Sequence, residues 1–219
     1  MNFIKNKKRA DNFRPRRYYG GKMDIIRYFI HPILLVLLVL GVTVLENYYM
    51  KKRNFKVYAL ANYVVMSGIS VILYIIGGFT LWTVKGIAIA FVLLYASVQD
   101  ISVREADDFL WVMLVLLSLV NFAETGVASM LMGAFALFVP QMVIANTVKT
   151  GGIGGADIKI STAGVLSLGF FGGVIGYMAG LVFAVVFQTI YSKIKNQSCK
   201  NGFPLLPFLS AGLMLGYVI

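Results

Sequence analysis

The sequence is poor in the residues that many soluble enzymes use for chemistry. Its 219 residues include one cysteine, Cys199, and one histidine, His31. A single cysteine excludes an intrachain disulfide and a thiolate metal cluster, and a single histidine excludes a multi-histidine metal site. A Ser/His/Asp or Cys/His triad also finds little support. We therefore expect no metal and no cofactor, so that any chemistry must use carboxylates, hydroxyls or lysines.

Charged residues are scarce as well, at 13% of the chain, whereas hydrophobic residues make up 59%. The mean hydropathy of +0.80 lies outside the range of a soluble domain. A helix of about 20 apolar residues crosses the bilayer core of about 30 Å, so the pattern predicts an all-α, polytopic bundle of about six to eight transmembrane helices. The apolar runs lie at 29–49, 57–78, 81–99, 109–123, 127–147, 158–171, 173–192 and 203–219.

The basic residues are concentrated near the start of the chain. Residues 1–56 hold thirteen of the twenty Lys and Arg residues but only three of the nine acids. We interpret residues 1–28 as a basic, poorly ordered flank that contacts anionic membrane lipid, and not as a nucleic-acid site. Residues 29–219 would form one integral membrane domain. Either Met1 or Met23 could be the natural start.

The distribution of loop cations predicts an orientation. Lys and Arg occur in the loops at 50–56, 148–157 and 193–201, which are therefore expected to face the cytosol. With eight crossings, the loop at 100–108 falls on the same side. The N-terminus then falls outside, against its basic charge, so either the first apolar run does not fully cross or the positive-inside rule fails there.

Two acids need a specific explanation, because an ionisable group costs roughly 2.5 to 3.5 kcal/mol at the centre of a transmembrane helix. Asp100 ends the third apolar run and Asp157 begins the sixth. Two crossings separate them, so both should emerge at the same membrane surface. Two close carboxylates share a proton, and such a pair can activate one water molecule while polarising a carbonyl.

The second aspartate lies in the stretch "GGIGGADIKIS", which is rich in glycine. Gly151, Gly152, Gly154 and Gly155 would allow positive φ angles and a close approach of a neighbouring helix or an extended peptide. Asp157 would then cap the following helix. A flexible loop with an ordinary N-cap explains the same pattern, and both interpretations stay open.

Three further charged residues lie close to these aspartates in the sequence. Lys159 follows Asp157 by two residues, so on a helix it points about 160 degrees away and is not a close partner for it. Its side chain would either extend to the interface or orient the loop or substrate. Asp107 and Asp108 are most simply solvated loop acids that favour the N-terminus of the next helix.

Around both aspartates the sequence resembles the type IV prepilin peptidase family, whose members are aspartyl proteases of the membrane and include preflagellin peptidases and small tight-adherence pilus peptidases. The family's first motif has an aspartate followed eight residues later by Asp or Asn, often after Pro. Asp100 and Asp108 have that spacing, with Asp107 in place of the proline.

The family's second motif, Gly-x-Gly-Asp-x-Lys, resembles residues 154–159, with Ala156 in place of the second glycine. The stretch "GFPLLPFLSAGLMLGYVI" is similar to the opening of the family's last helix, through Pro204, Pro207 and Phe208. The resemblance covers about residues 81–219.

The resemblance implies that Asp100 and Asp157 are the catalytic pair, with Gly154, Gly155, Lys159 and Asp108 supporting the loop or positioning the substrate. It implies a peptidase of the plasma (inner) membrane that cleaves a short basic leader from prepilin-like or preflagellin-like proteins at the cytosolic face. The cysteine-bearing insert of the larger bacterial enzymes has no counterpart here, which argues against N-methylation and bound zinc.

Two other interpretations remain. Presenilin and signal-peptide-peptidase proteases share a Gly-x-Gly-Asp signature but pair it with Tyr-Asp, whereas Asp100 follows Gln99. A small transporter could instead use Asp100 and Asp157 for ion coupling.

Overall fold

The computed structural model describes residues 23–147, 154–195 and 203–219, and within these ranges all regular secondary structure is helical. This confirms the all-α prediction. The helices are α1 Met23–Lys52, α2 Ala59–Gly77, α3 Leu81–Val103, α4 Asp108–Leu119, α5 Phe122–Thr125, α6 Val127–Thr147, α7 Gly155–Leu168, α8 Phe170–Lys195 and α9 Leu206–Val218. The basic segment 1–22 lies outside the described residues.

Among the described residues, five helices are long and apolar enough to cross a membrane, namely α1 from Ile30, α2, α3, α6 and α8 to Ile194. Their outward faces carry large apolar side chains such as Leu60 and Ile75, which are at least three-quarters exposed. Such faces are stable in contact with lipid and not with water, so the chain is a multi-pass membrane protein. The helices α4, α7 and α9 are shorter and pack between the long ones.

Helix α3 is the central element of the bundle and contacts α2, α4 and α9. It begins where the Thr80 side chain accepts a hydrogen bond from the Thr83 N–H, and it ends at Arg104 in the left-handed conformation. Its buried residues include Ile89 and Leu93, which lie in the core. Because α3 is enclosed for most of its length, the polar side chains that it carries face other helices.

Helices α8 and α9 are antiparallel and lie unusually close, because glycines repeat every fourth residue on both: Gly172, Gly176 and Gly180 face Gly212 and Gly216. A Cβ atom on Gly176 would lie 2.7 Å from the carbonyl oxygen of Gly212, and one on Gly216 would overlap the carbonyl oxygen of Gly172. Small residues at this spacing let helix backbones approach closely within a membrane. This contact fixes the position of α9.

Two predicted helix boundaries are wrong. The break between the sixth and seventh runs was expected near Gly172, but α7 ends at Leu168 and is followed by Gly169, which has a φ of +82°. The fourth run, expected to continue to 123, stops at Leu119 and is followed by the separate turn α5 because Asn121 is left-handed. Helix α6 runs through Pro140 without interruption.

Candidate active site

Asp100 lies one turn before the end of α3 and is 8% exposed. Its Oδ2 atom accepts a hydrogen bond of 3.0 Å from the backbone N–H of Leu206, the first residue of α9. The first amides of a helix have no partner within the helix and carry partial positive charge, so they favour an ionised carboxylate. The N-terminus of α9 therefore offsets part of the cost of burying the Asp100 carboxylate.

Asp157 is the third residue of α7 and is half-buried. Burial raises the pKa of Asp157 to about 6; the charge of Asp100 adds to the rise, and a hydrogen bond from the Gly154 N–H opposes it. The two carboxylates are thus close enough to repel each other electrostatically, as expected from the sequence. Such a pair titrates as a unit.

The local geometry of Asp157 corrects two predictions. The N-cap of α7 is Gly154, not Asp157, and the Asp157 carboxylate instead accepts from the Gly154 N–H one turn back. Neither described glycine of the loop has a positive φ: Gly154 is extended at −63° and Gly155 is helical. The remaining two glycines, Gly151 and Gly152, lie outside the described residues.

Gly154 and Gly155 differ in the space around them. A Cβ atom on Gly154 would lie 3.0 Å from Oδ2 of Asp157, whereas one on Gly155 would meet nothing within 4 Å. A side chain at position 154 would therefore crowd the Asp157 carboxylate, whereas one at position 155 would not.

Lys159 and Asp108 connect the two motifs. The Lys159 ammonium lies 2.6 Å from Oδ1 of Asp108, the first residue of α4. This contact supports the interpretation in which Lys159 orients the loop, and it agrees with the expectation that Lys159 does not pair with Asp157. The ammonium holds the pKa of Asp108 below its usual range. Both side chains are at least half exposed.

Asp107 is also more than a solvated loop acid. Its carboxylate pairs with Arg53, which lies just beyond α1, and its backbone N–H donates to Oε1 of Gln99 at 3.2 Å. Arg53 donates in addition to the Tyr95 hydroxyl at 3.1 Å. The loop after α3 is thus tied to α1 on one side and, through Asp108, to α7 on the other. Residues 53, 100–108, 157–159 and 206 therefore meet at one end of the bundle.

Two polar residues near Asp157 were not selected from the sequence. Gln141 on α6 is 3% exposed and accepts a hydrogen bond of 3.2 Å from the Ser161 hydroxyl. Tyr177 on α8 is also buried, and the charge of Asp157 acts on it. A buried amide inside an apolar run next to Pro140 is the sequence signal that could have identified Gln141.

The described helices thus form a multi-pass bundle with two interacting carboxylates at one end. Residues 87–192 match the model of the type IV leader peptidase family. This region contains both aspartates, and the match supports the resemblance to the family that was seen in the sequence. The family indicates a peptidase. No curated protein and no solved structure matches the chain.

Proposed function

We propose that the chain is an aspartyl endopeptidase that removes a short basic leader from prepilin-like or preflagellin-like proteins at the cytosolic face of the plasma membrane. Asp100 and Asp157 are the proposed catalytic pair. The observation that carries the proposal is their electrostatic contact inside the region matched by the family model.

The surroundings of the two carboxylates suggest different roles. Asp100 accepts a backbone N–H, which favours its ionised form, and it takes a proton from the attacking water. Asp157, whose pKa is raised to about 6, carries the shared proton and donates it to the oxygen of the scissile carbonyl. Water oxygen then bonds to the carbonyl carbon and forms a tetrahedral diol.

Collapse of the diol completes the cycle. The carbon–nitrogen bond breaks while the proton held by Asp100 moves to the leaving nitrogen, and a diol hydroxyl proton returns to Asp157. The products are the leader with a new carboxylate and the mature protein with a new amine. Each aspartate recovers its starting protonation state.

Incubation of purified protein in detergent with a peptide that contains a basic leader, a glycine and an apolar segment tests this proposal. We expect mass spectrometry to show a single cleavage at the junction with the apolar segment. The matched set is Asp100→Asn, Asp157→Asn and Glu105→Gln, the last an exposed acid in the same loop. Undiminished cleavage by either aspartate variant, or proton flux without cleavage, would contradict the peptidase.

The membrane side is tested separately. After Cys199→Ser, a cysteine at Glu105 should react with an impermeant thiol reagent only when the cytosolic face is open to it. Labelling of that cysteine in intact cells would place the aspartates on the opposite face.

A further inference from the structure

A second polar site lies at the other end of α3. Lys85 is on the first turns of that helix and is 4% exposed, although it belongs to a helix long enough to span the membrane. Fifteen residues separate it from Asp100, which corresponds to about 22 Å along a helix. The site is therefore distinct from the one that holds the aspartates.

Lys85 lines a cavity of about 340 Å³ among α3, α5, α6, α7, α8 and α9. The wall includes the polar side chains of Asn121, Glu124, Thr125 and Ser129. A buried ammonium is unfavourable unless an anion or several acceptors compensate it. The charged form of Lys85 in this cavity therefore requires a compensating anion or hydrogen-bond acceptors.

Glu124 lines the same cavity, but it does not form an ion pair with Lys85. The ion pairs within 4 Å among the described residues are Arg53–Asp107 and Lys159–Asp108. Glu124 is exposed and accepts a hydrogen bond from Asn121, which holds it at the rim, while Lys85 lies at the floor. Its charge still acts on Lys85 across the cavity. A ligand with an anionic and a cationic group would satisfy both ends.

The rim points to a lipid as the source of that ligand. Phe171 on the cavity wall is 76% exposed, and Leu81 and Phe122, next in sequence to the wall residues Trp82 and Asn121, are exposed as well. The Trp82 and Tyr217 rings stack at 4.8 Å on its wall, and Trp and Tyr are the residues that prefer the membrane–water interface. Acyl chains can therefore lie against the apolar rim while a headgroup enters the polar cavity.

We propose that this cavity binds a phospholipid headgroup that carries both a phosphate diester and a primary ammonium. The phosphate accepts hydrogen bonds from the Lys85 ammonium, and the headgroup ammonium pairs with the Glu124 carboxylate. The glycerol and acyl chains lie outward across Phe171. The site takes no part in peptide cleavage.

Native mass spectrometry of the full chain from detergent tests the proposal with dioleoylphosphatidylethanolamine, dioleoylphosphatidylglycerol and dioleoylphosphatidylcholine at equal concentration. Wild type should retain the ethanolamine lipid at least about tenfold better than the others, the size expected for a charge-assisted hydrogen bond. Lys85→Met should remove most of this retention. Glu124→Gln should remove the preference for ethanolamine over glycerol.

Lys193→Met and Glu105→Gln are matched controls, since both residues are exposed and belong to other segments; each should behave as wild type. If Lys85→Met does not fold, Glu124→Gln alone tests the proposal, because an exposed residue at the rim can be changed without disturbing the core. Unchanged lipid selectivity in Glu124→Gln would overturn the proposal. So would displacement of the lipid by millimolar inorganic phosphate, since the cavity would then take a free anion.

Discussion

At one end of the bundle the Asp100 carboxylate accepts a backbone N–H from Leu206. At the other end the Lys85 ammonium faces a cavity that Glu124 also lines. Both groups lie on α3 and both are almost fully buried. At the first end the protein itself supplies the compensating groups, and at the second a ligand can supply them. A buried charge in a membrane bundle therefore needs to be judged by its partners and not by its burial alone.

Helix α9 connects the two ends. Leu206 at its start contacts Asp100, and the Tyr217 hydroxyl near its end donates to the Trp82 carbonyl at 2.6 Å. Between them the Ser97 and Ser210 hydroxyls lie 3.0 Å apart. A change in the position of α9 should therefore affect both ends, while a change at one end should leave the other intact.

The largest effect is expected from the aspartates. Asp100→Asn and Asp157→Asn should each lower cleavage by about 100- to 10,000-fold, because an amide can neither accept the water's proton nor share one. Rates of peptide cleavage at matched protein concentration measure this. Lipid retention at the Lys85 end should not change in either variant, and a parallel loss there would mean that the substitution disturbs the whole bundle.

The next largest effect is expected in the pH dependence of cleavage, which should depend on the aspartate end and not on the Lys85 end. The raised pKa of Asp157 keeps its carboxyl protonated below about 6, so the singly protonated pair is lost as the pH rises through that value. We expect kcat/KM to fall by up to about tenfold per pH unit above it. Glu124→Gln should not shift the pH at which kcat/KM begins to fall. A shift of that pH in Glu124→Gln would contradict the assignment of the fall to Asp157.

Gly212→Ala should weaken both ends together. Its Cβ atom would overlap the backbone of Gly176 and Gly180, so α9 must move, at a cost of about 1–3 kcal/mol. Thermal unfolding in detergent should show the loss, with lower cleavage and lower lipid retention. Gly41→Ala, at a helix position with nothing within 4 Å, is the control and should be neutral or slightly stabilising. Equal behaviour of the two variants would remove the role given to α9.

Gly154→Val should affect only the aspartate end. The added side chain would crowd Oδ2 of Asp157, and a displacement of about 1 Å can cost up to about 100-fold in rate. Gly155→Val, which meets open space, should retain most activity. Steady-state kinetics compare the two variants. A greater loss of activity in Gly155→Val than in Gly154→Val would show that the glycines are needed for the backbone conformation and not for space beside the carboxylate.

The smallest effect is expected from the exposed pair that joins the motifs. Asp108→Asn and Lys159→Met should each lower cleavage by less than about fivefold, because surface ion pairs contribute little. The loss should be smaller still at high salt, which screens the pair. Cleavage rates at low and high salt measure this contribution. A loss as large as that of Asp157→Asn would indicate that Lys159 contacts the substrate directly.

The sequence predicted the apolar runs, the meeting of both aspartates at one end and the divergence of Lys159 from Asp157, since these follow from length, crossing number and helical period. It did not predict the role of the glycines on α8 and α9. The apolar runs predicted a helix boundary near Gly172, whereas Gly172 lies within α8 and allows backbone contact with Gly216.

The partners of the charged groups could not be predicted from the sequence either. The Leu206 amide is 106 residues from Asp100, and the Arg53–Asp107 pair joins segments 54 residues apart. Composition and local spacing carry no information on which of these segments become neighbours. The significance of Lys85 likewise depends on the cavity around it, which only the packed helices create.

The central claim is that Asp100 and Asp157 act as one unit, and the most direct test is the residual cleavage of the double Asp100→Asn, Asp157→Asn variant beside that of each single variant. Groups that act together are not additive. We predict that the double variant is no slower than the slower single variant. Losses that multiply, so that the double variant is slower by the product of the two single effects, would contradict a shared proton and a common water.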